Sequence, residues 1–372
     1  MDLDQYDYFL PEKNLALAPA TPRDSSKLFV YDTGSDEIVF DHFYNLDKYL
    51  PKESFLVLNN TKVLPARVTM KKESGGKAIL LFLINELTPL RLPGFEGQAG
   101  LRVVKVIADR KINVGEKIFF DPSTSLRIRS QKENIFELEF DFGKEKLFHL
   151  LQKFGTMPIP PYLKKSPLKR DELMEKYQTI FARAPDGARL ASAAAPTASL
   201  HFTEDVFEKL KKKGIDRYFV TLHVGLGTFA PLTEENMKKK KLHEEYFEVG
   251  KESLQCFKTL KSEGKRLVAV GTTVTRTLES VISNDKFQMA NEIKNPNDKI
   301  YGKTDLFIFP PYDFKMVDIL ITNFHLPKSS LMMLVEAFLQ YRGARRSLVD
   351  LYKIAIEKNY RFYSFGDAMV IL

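Results

Sequence analysis

The sequence of 372 residues has only one cysteine, Cys256, and no long apolar run. A single thiol excludes an intrachain disulfide framework and a metal cage made of thiolates alone, and it favours a reducing compartment. The longest apolar run, residues 78–84, is strand-length and far shorter than the roughly 18 residues of a membrane-spanning helix. The first residues, MDLDQYDYFLPE, lack the basic and then apolar layout of a secretory signal. We therefore expect a soluble, cytoplasmic protein with no membrane partner.

Common cofactor signatures are also missing. No G-x-G-x-x-G or G-x-x-x-x-G-K-[ST] string occurs, which argues against a dinucleotide or P-loop site. The histidines lie far apart in the chain, without a His-x-x-x-His or Cys-x-x-Cys pair on one element. We therefore expect no catalytic or structural metal.

The charge balance is basic. Lys and Arg number 56 against 48 for Asp and Glu, which gives a formal net charge of +8. Basic runs occur at residues 164–165 with 169–170, 211–213, 238–241 and 345–346. Such runs are often only solvated faces, but together with the net charge they favour an anionic partner such as a nucleic acid backbone.

The pattern of apolar residues predicts two units in the chain. Short strand-like runs separated by Gly, Pro, Asp and Asn predict an inserted small β-barrel or sandwich over residues 66–149. The expected strands of this unit are residues 78–84, 101–108, 117–120, 126–129 and 135–142.

Strands alternate with helices in the remainder of the chain, residues 1–65 and 150–372, which predicts a layered α/β domain. Thr203 is placed to cap a helix that Gly214 ends, and further helices are expected at 251–263, 273–282, from 330 and at 348–356. Strands are expected at 54–58, 215–222, 266–270, 306–309 and 317–324, with a surface loop at 284–303.

Histidines stand at two of the predicted strand ends. His223 follows the strand at 215–222, His325 follows the strand at 317–324, and His201 precedes the capped helix. Ligands of open α/β sheets bind beyond the carboxyl ends of the strands. If the strands run parallel, the ends that carry these histidines therefore face one crevice. An imidazole needs only a small shift in pKa to act as a base near neutral pH. The alternative is that each histidine is a structural residue with backbone partners.

Two short glycine turns also follow predicted strands. Gly225 to Thr228 and Gly271 to Thr273 offer backbone N–H groups that suit an anion or the polar edge of a ligand, although tight turning alone also explains them. Arg276 and Glu279 are three residues apart on the next helix, where an ion pair is the simplest interpretation.

Long strings in a fixed order resemble the S-adenosylmethionine:tRNA ribosyltransferase-isomerases of queuosine biosynthesis. The resemblance spans essentially the whole chain and rests on YFLPEKNLALAPATPRDSSKLFV, FLVLNNTKVLPAR, GTMPIPPYL, YQTIFA, APTASLHFTEDV, FVTLHVGLGTFAP, VAVGTTVTRTLES, VDILITNFHLPKSSLMMLVEAF and YRFYSFGDAMVI.

This resemblance implies a fold and an activity. The fold would be an α/β domain that carries an inserted β-barrel. The activity would be transfer and isomerisation of the ribosyl moiety of S-adenosylmethionine, the co-substrate, onto an aminomethyl-deazaguanine at the tRNA wobble position. Epoxyqueuosine-tRNA, adenine and methionine would be the products, no metal would be needed, and we expect a monomer.

The resemblance also implies site residues. The expected catalytic residues are His201, His223 and His325, with Glu279 or Asp305 orienting one imidazole. The expected ligand-binding residues are Thr197, Thr203, Gly225, Gly227, Thr272, Thr273, Arg276 and Asn323. The expected tRNA-binding residues are Arg23, Lys62, Arg67, Lys239 and Lys240, with Phe202 or Tyr312 stacking on the target base.

The sequence departs from the family pattern at several places. Asn60 stands where the family has Asp, Ser199 stands where it has Gly, residues 182–195 are a few residues longer than the usual turn, and Leu339-Gln340 replace a small Ala-Gly pair. Two other classes remain open, a nicotinamide- or flavin-dependent oxidoreductase and a non-catalytic RNA-binding module.

Overall fold

The computed structural model describes residues 2–89, 102–132, 134–183, 192–225, 232–283 and 298–372. The strands are β1 (Lys27–Asp32), β2 (Glu37–His42), β3 (Ser54–Asn59), β4 (Arg67–Lys72), β5 (Lys77–Pro89), β6 (Arg102–Ala108), β7 (Lys117–Asp121), β8 (Thr124–Lys132), β9 (Ile135–Phe140), β10 (Gly155–Thr156), β11 (Asp216–His223), β12 (Lys241–Gly250), β13 (Arg266–Val270), β14 (Lys299–Leu306), β15 (Ile319–Asn323) and β16 (Ala368–Ile371).

The α-helices are α1 (Leu46–Tyr49), α2 (Lys144–Phe154), α3 (Arg170–Lys176), α4 (Glu204–Lys212), α5 (Glu234–Lys239), α6 (Lys251–Ser262), α7 (Thr272–Ile282), α8 (Ser330–Tyr341) and α9 (Leu348–Glu357). Short 3-10 helices lie at Leu3–Tyr6, Glu12–Asn14, Arg23–Ser25, Phe43–Asn45, Pro161–Lys165 and Thr197–His201. None of the helices in the described ranges combines the length and apolarity that crossing a membrane requires.

A large mixed sheet organises the first unit, and this confirms the predicted layered α/β class. Within the described residues its strand order is β14, β12, β11, β3, β13, β15, β16, β1, β2. The central neighbours β11, β3, β13 and β15 all run parallel, so their carboxyl ends lie at one edge of the sheet.

Both faces of this sheet are covered. On β3, Phe55 and Val57 pack into the cluster that contains α6, α7, α8 and α9, whereas Leu56 and Leu58 pack into the cluster that contains α1 and α4. Alternate side chains of a strand point to opposite faces, and a strand buried on both faces is therefore a continuous apolar run. This explains why the string Phe55 to Leu58 predicts a strand so clearly.

The outer strands of this sheet were harder to predict. The apolar pattern did not predict strand β12, and the strand predicted at 306–309 is wrong because β14 ends at Leu306 and the next residues turn into the core. Of the loop predicted at 284–303, residues 299–303 belong to β14 and residues 284–297 lie outside the described residues. Edge strands have polar side chains on their exposed face and lack the apolar run of a central strand.

A closed β-barrel forms the second unit, which confirms the predicted insertion of a barrel. Strands β4, β5, β6, β9, β8 and β7 pair in that order, and β4 also pairs with β7 to close the ring. Helix α2 packs on this barrel through Leu147, Phe148, Leu150 and Leu151. The predicted boundary at residue 149 falls within α2, and we propose that the inserted unit extends to Thr156.

The two connections between the units lie side by side. Strand β10, which leaves the barrel, pairs antiparallel with β4, which enters it. A Cβ atom built on Gly155 would lie 1.7 Å from the carbonyl oxygen of Pro65. Only a glycine allows the two backbones to approach this closely.

Substitution of Gly155 should therefore damage the junction. We expect Gly155→Ala to lower the free energy of unfolding by at least about 2 kcal/mol, because the added methyl group overlaps backbone atoms. Urea or thermal unfolding measures this effect. The matched control is Gly143→Ala, whose Cβ would meet only the flexible side chain of Glu145. Equal stability of the two variants would contradict the proposed close approach.

Candidate active site

A cleft opens at the carboxyl edge of the parallel strands. It has about 760 Å³ of space between its walls, including the open mouth. It is lined by residues 194–198, 271–273 and 322–326, with Tyr162, Val224, Ser329, Leu331, Tyr363 and Ser364. Val224, residues 271–273 and residues 322–326 lie at the carboxyl ends of β11, β13 and β15. The strand ends that the sequence analysis predicted to face one crevice therefore meet at this cleft.

His325 lies in the wall of this cleft, directly after β15. Its Nε2 atom is 2.8 Å from the hydroxyl of Thr322. Its backbone N–H donates to the hydroxyl of Tyr352 at 2.9 Å, and its carbonyl oxygen accepts from Tyr8. The segment is thus fixed on both sides, and no described residue bonds to Nδ1.

His201 contacts the cleft indirectly. It ends the 3-10 helix Thr197–His201, its Nδ1 atom is 2.8 Å from the hydroxyl of Ser26, and its Nε2 atom is 3.3 Å from the amide nitrogen of Asn323. Asn323 lines the cleft, and its Oδ1 atom is buried without a hydrogen-bond partner among the described residues. His201 itself does not line the cleft and is linked to it through Asn323.

His223 ends β11 and is fully buried beside the cleft-lining Val224. Its Nδ1 atom is 3.0 Å from the hydroxyl of Thr61, and its Nε2 atom has no partner among the described residues. This arrangement resembles that of His325, where one ring nitrogen also faces a threonine hydroxyl. The two imidazoles therefore each leave one nitrogen for another group.

Burial makes all three imidazoles weaker bases than the sequence suggested. It lowers the pKa of His325 to about 3 and that of His223 to about 4. Burial, with the charges of Arg361 and Arg23, lowers the pKa of His201 to about 3. The expectation of a pKa near seven is wrong because desolvation penalises the charged imidazolium, and no carboxylate among the described residues offsets it.

The start of α7 forms the opposite wall. Gly271 adopts a left-handed φ of 93° and donates its N–H to Ile321 at 2.7 Å, which turns the chain from β13 into the helix. Thr272 and Thr273 then line the cleft at the positive end of the helix dipole. The hydroxyl of Thr273 accepts from Asn59 at 3.3 Å, so this wall is tied to the end of β3.

Five of the predicted catalytic and ligand-binding residues thus line the cleft: Thr197, Thr272, Thr273, Asn323 and His325. Thr203 does not. It caps α4 by accepting from Val206, and its hydroxyl donates to Asp24 at 2.8 Å. Its role in the structure is that of a helix cap.

The charged residues proposed for the site have structural partners instead. Arg276 forms a buried ion pair with Glu245, not with Glu279. Glu279 accepts from the backbone N–H groups of residues 315–317, and desolvation raises its pKa. Asp305 pairs with Lys241 at 2.6 Å. The expectation that Glu279 or Asp305 orients an imidazole is therefore wrong.

The first glycine turn is only partly described. The N–H of Gly225 donates to Oε1 of Glu245 at 2.9 Å, so this group is already occupied. Gly227 lies outside the described residues.

The predicted tRNA-binding residues differ in how free their charges are. Arg23 donates to the carbonyl oxygens of Gln178 and Glu175. Lys239 pairs with Glu235 at 2.6 Å, and the ammonium of Lys240 lies 5.9 Å from the ring centre of Phe309. For Lys62 and Arg67, no carboxylate within the described ranges forms a pair.

The two aromatic residues named from the sequence, Phe202 and Tyr312, do not line the cleft. Phe202 is fully buried in the core, and Tyr312 packs edge-to-face on Phe314, whereas Tyr162 and Tyr363 line the cleft. Both of these lie in strings that carry the family resemblance, GTMPIPPYL and YRFYSFGDAMVI, and that was the available signal. These two tyrosines come together from segments about two hundred residues apart in the chain. The periodicity of apolar residues predicts local structure and not such a distant contact.

Two of the departures from the family pattern, Asn60 and Ser199, have different surroundings. Asn60 accepts from Thr221 at 2.7 Å through its Oδ1 atom, which an aspartate would also offer. The hydroxyl of Ser199 is buried in the 3-10 helix at the cleft and has no partner within the described residues. Among the same residues, no group of three or more His, Cys, Asp or Glu side chains could hold a metal ion.

Comparison with known proteins places the chain in a family. The model of the family described as queuosine biosynthesis protein matches residues 3–371, so the chain belongs to that family. The resemblance stated from the sequence is thereby confirmed.

Close relatives carry one common name. S-adenosylmethionine:tRNA ribosyltransferase-isomerases from Carboxydothermus hydrogenoformans and Aquifex aeolicus are 42% and 40% identical, with 100% of each chain covered. The crystal structure of S-adenosylmethionine tRNA ribosyltransferase from Thermotoga maritima is similar with a TM-score of 0.51 and 31% identity, covering 99% of this chain and 100% of that one.

The lowered histidine pKa values predict a specific acid sensitivity. The folded chain keeps His223 neutral down to about pH 4, whereas an unfolded chain protonates it near pH 6.5. The unfolded state therefore binds more protons between these values, and the free energy of unfolding falls as the pH is lowered through this window. Denaturant unfolding at several pH values measures the slope of the free energy of unfolding against pH. In this window His223→Gln should reduce that slope by up to about 1.4 kcal/mol per pH unit.

The control for this measurement is His42→Gln, because the imidazole of His42 is exposed. We expect its pH dependence to match that of the unsubstituted chain. An unchanged slope in His223→Gln would mean that His223 is not buried as a neutral group.

Proposed function

We propose that this protein transfers and isomerises the ribosyl moiety of S-adenosylmethionine onto the aminomethyl-deazaguanine at the tRNA wobble position, giving epoxyqueuosine-tRNA with release of adenine and methionine. The observation that carries the proposal is the cleft at the carboxyl ends of β11, β13 and β15 in a chain of this family. Clefts with mostly apolar walls and a few convergent polar groups are typical ligand pockets.

Most of the chemical activation for this reaction comes from the co-substrate itself. The sulfonium group acidifies the neighbouring methylene and makes methionine a good leaving group, so the protein must supply bases, orientation and exclusion of water. Two protons have to be removed, one from the ammonium of the substrate and one beside the sulfonium. The cleft therefore needs two proton acceptors.

His325 and His223 are the best candidates for these two tasks. When Nε2–H of His325 donates to Thr322, the lone pair of Nδ1 is free, and when Nδ1–H of His223 donates to Thr61, the lone pair of Nε2 is free. Both are unprotonated at neutral pH, as a base must be. Desolvation in the same cleft also lowers the pKa of an ammonium group that enters it. The pKa values of the ammonium donor and the imidazole acceptor are therefore closer together than they are in water.

His201 has a different task in this proposal. Because its two ring nitrogens contact Ser26 and Asn323, it positions Asn323 and does not touch the substrate. Asn323 offers its unpaired Oδ1 atom to a donor group on the ligand. Thr197, Thr272 and Thr273 supply further hydroxyl and backbone groups around the adenosyl moiety.

Loss of an acceptor in the cleft should be severe. We expect His325→Ala to lower turnover at least about hundredfold, the usual effect of removing a general base. The measurement is incubation with labelled S-adenosylmethionine and precursor tRNA, scored for adenine release and mass gain on the RNA. His42→Ala, at an exposed position, is the control.

The same assay separates the competing classes. An oxidoreductase or a passive RNA-binding module would release no adenine. Full activity of His325→Ala would remove this residue from the chemistry, and no adenine release by the unsubstituted chain would contradict the proposed function.

The tRNA partner is expected to bind through unpaired cations near the cleft. Lys62 follows Thr61, the partner of His223, and it has no carboxylate partner among the described residues. Lys239 is exposed but already pairs with Glu235. A phosphate at Lys239 must displace a carboxylate, whereas a phosphate at Lys62 need not.

This contrast predicts different effects of two variants that each remove one positive charge. Lys62→Gln should lower the salt dependence of tRNA binding by about 0.7 to 0.9 in the slope of log K against log salt, the effect of one lost phosphate contact. Lys239→Gln should change it less. Titrations of tRNA at several salt concentrations measure both slopes, and equal changes would indicate a general effect of net charge.

A further inference from the structure

The walls of the cleft, as far as the structure describes them, carry no formal charge. Among the lining residues in the described part of the chain there is no Asp, Glu, Lys or Arg, and its one histidine is neutral. The proposed co-substrate, however, contains a sulfonium cation. Moving a cation from water into a desolvated and uncharged site is costly unless other groups compensate the charge.

Two tyrosines in the wall offer such compensation. The ring centres of Tyr162 and Tyr363 lie 5.1 Å apart with 55° between the ring planes, and both residues line the cleft. The face of an aromatic ring is electron-rich and attracts a cation placed over it. Desolvation raises the pKa of Tyr162 to about 12 and also raises that of Tyr363, so both phenols stay neutral at physiological pH.

The surrounding structure fixes the ring of Tyr162 and the backbone of Tyr363. The hydroxyl of Tyr162 donates to the hydroxyl of Ser364 at 2.6 Å and accepts from the backbone N–H of Ser364 at 2.9 Å. Tyr363 has a left-handed φ of 72°, which is unusual for a bulky residue. Its N–H donates to Phe324 at 3.1 Å, and its carbonyl oxygen accepts from Asn323 at 3.2 Å.

A strained backbone persists only where neighbouring contacts over-determine it, and such residues cluster at binding sites. The contacts of Tyr363 come from Asn323 and Phe324, which themselves belong to the cleft wall. The left-handed backbone conformation of Tyr363 therefore accompanies the placement of its ring beside Tyr162. We interpret this unfavourable conformation as a consequence of that placement.

We propose that Tyr162 and Tyr363 form a cation-binding wall that holds the sulfonium of S-adenosylmethionine through the faces of their rings. This inference rests on the proposed function, because it takes S-adenosylmethionine as the occupant of the cleft. The wall makes the site selective for the charged co-substrate over its neutral thioether analogue, S-adenosylhomocysteine. These two ligands differ only by a methyl group and the positive charge.

Calorimetric titration of the full chain with each ligand tests the proposal. We expect the unsubstituted chain to bind S-adenosylmethionine at least about fivefold more tightly than S-adenosylhomocysteine, within the roughly 2- to 30-fold range of one cation–π contact. Tyr363→Leu should reduce this ratio towards one, whereas Tyr363→Phe keeps the ring and should retain the ratio. Both variants adopt the same φ, so they share any cost in folding.

Tyr162→Leu and Tyr162→Phe form a second matched pair, which gives the same readout if Tyr363→Leu does not fold. Thermal unfolding of each variant identifies that case. If the ratio of the two affinities stays unchanged in both leucine variants, because both ligands lose affinity equally or not at all, the proposal is overturned. The rings would then have only a packing role. A chain that does not bind S-adenosylmethionine at all would contradict the proposed function itself, and an unsubstituted chain that binds both ligands equally would contradict only the cation-binding wall.

Discussion

The common direction of β11, β3, β13 and β15 is the constraint on which the site depends. Because these strands run parallel, their carboxyl ends deliver polar residues to one edge of the sheet. Asn59 then joins the exits, since its side chain bonds to both backbone groups of Leu222 and to the hydroxyl of Thr273. A shift of one residue in this register would turn such side chains to the other face of the sheet.

Charge is kept out of the described walls of the cleft and placed elsewhere. The buried pair of Arg276 and Glu245 joins α7 to β12, and the carboxyl group of Glu279 holds the turn at residues 315–317. The described walls of the cleft consist of aliphatic and aromatic side chains with hydroxyl, amide and imidazole groups among them. In a site of this kind the ligand itself brings the largest charge, and the protein responds with fixed dipoles and polarizable rings.

Much of this organisation was visible in the sequence. Apolar runs identified the central strands, Thr203 and Gly214 marked the ends of α4, and the strand exits predicted a shared crevice. The partner of Arg276 was missed because Glu245 stands 31 residues away on β12, a strand that the apolar pattern did not reveal. The histidine pKa values and the φ of Tyr363 were equally out of reach, because both arise from tertiary packing that local patterns do not encode.

The barrel leaves and rejoins the α/β unit at a single place. Thr156 is paired with Arg67 in adjacent strands, and Cα atoms of paired residues in an antiparallel ladder are only about 5 Å apart. The chain before and after this pair could therefore be joined by a very short bridge, without rerouting any strand of the large sheet. The barrel is therefore an insertion into a continuous α/β path, and its strands contribute nothing to the strand order of the large sheet.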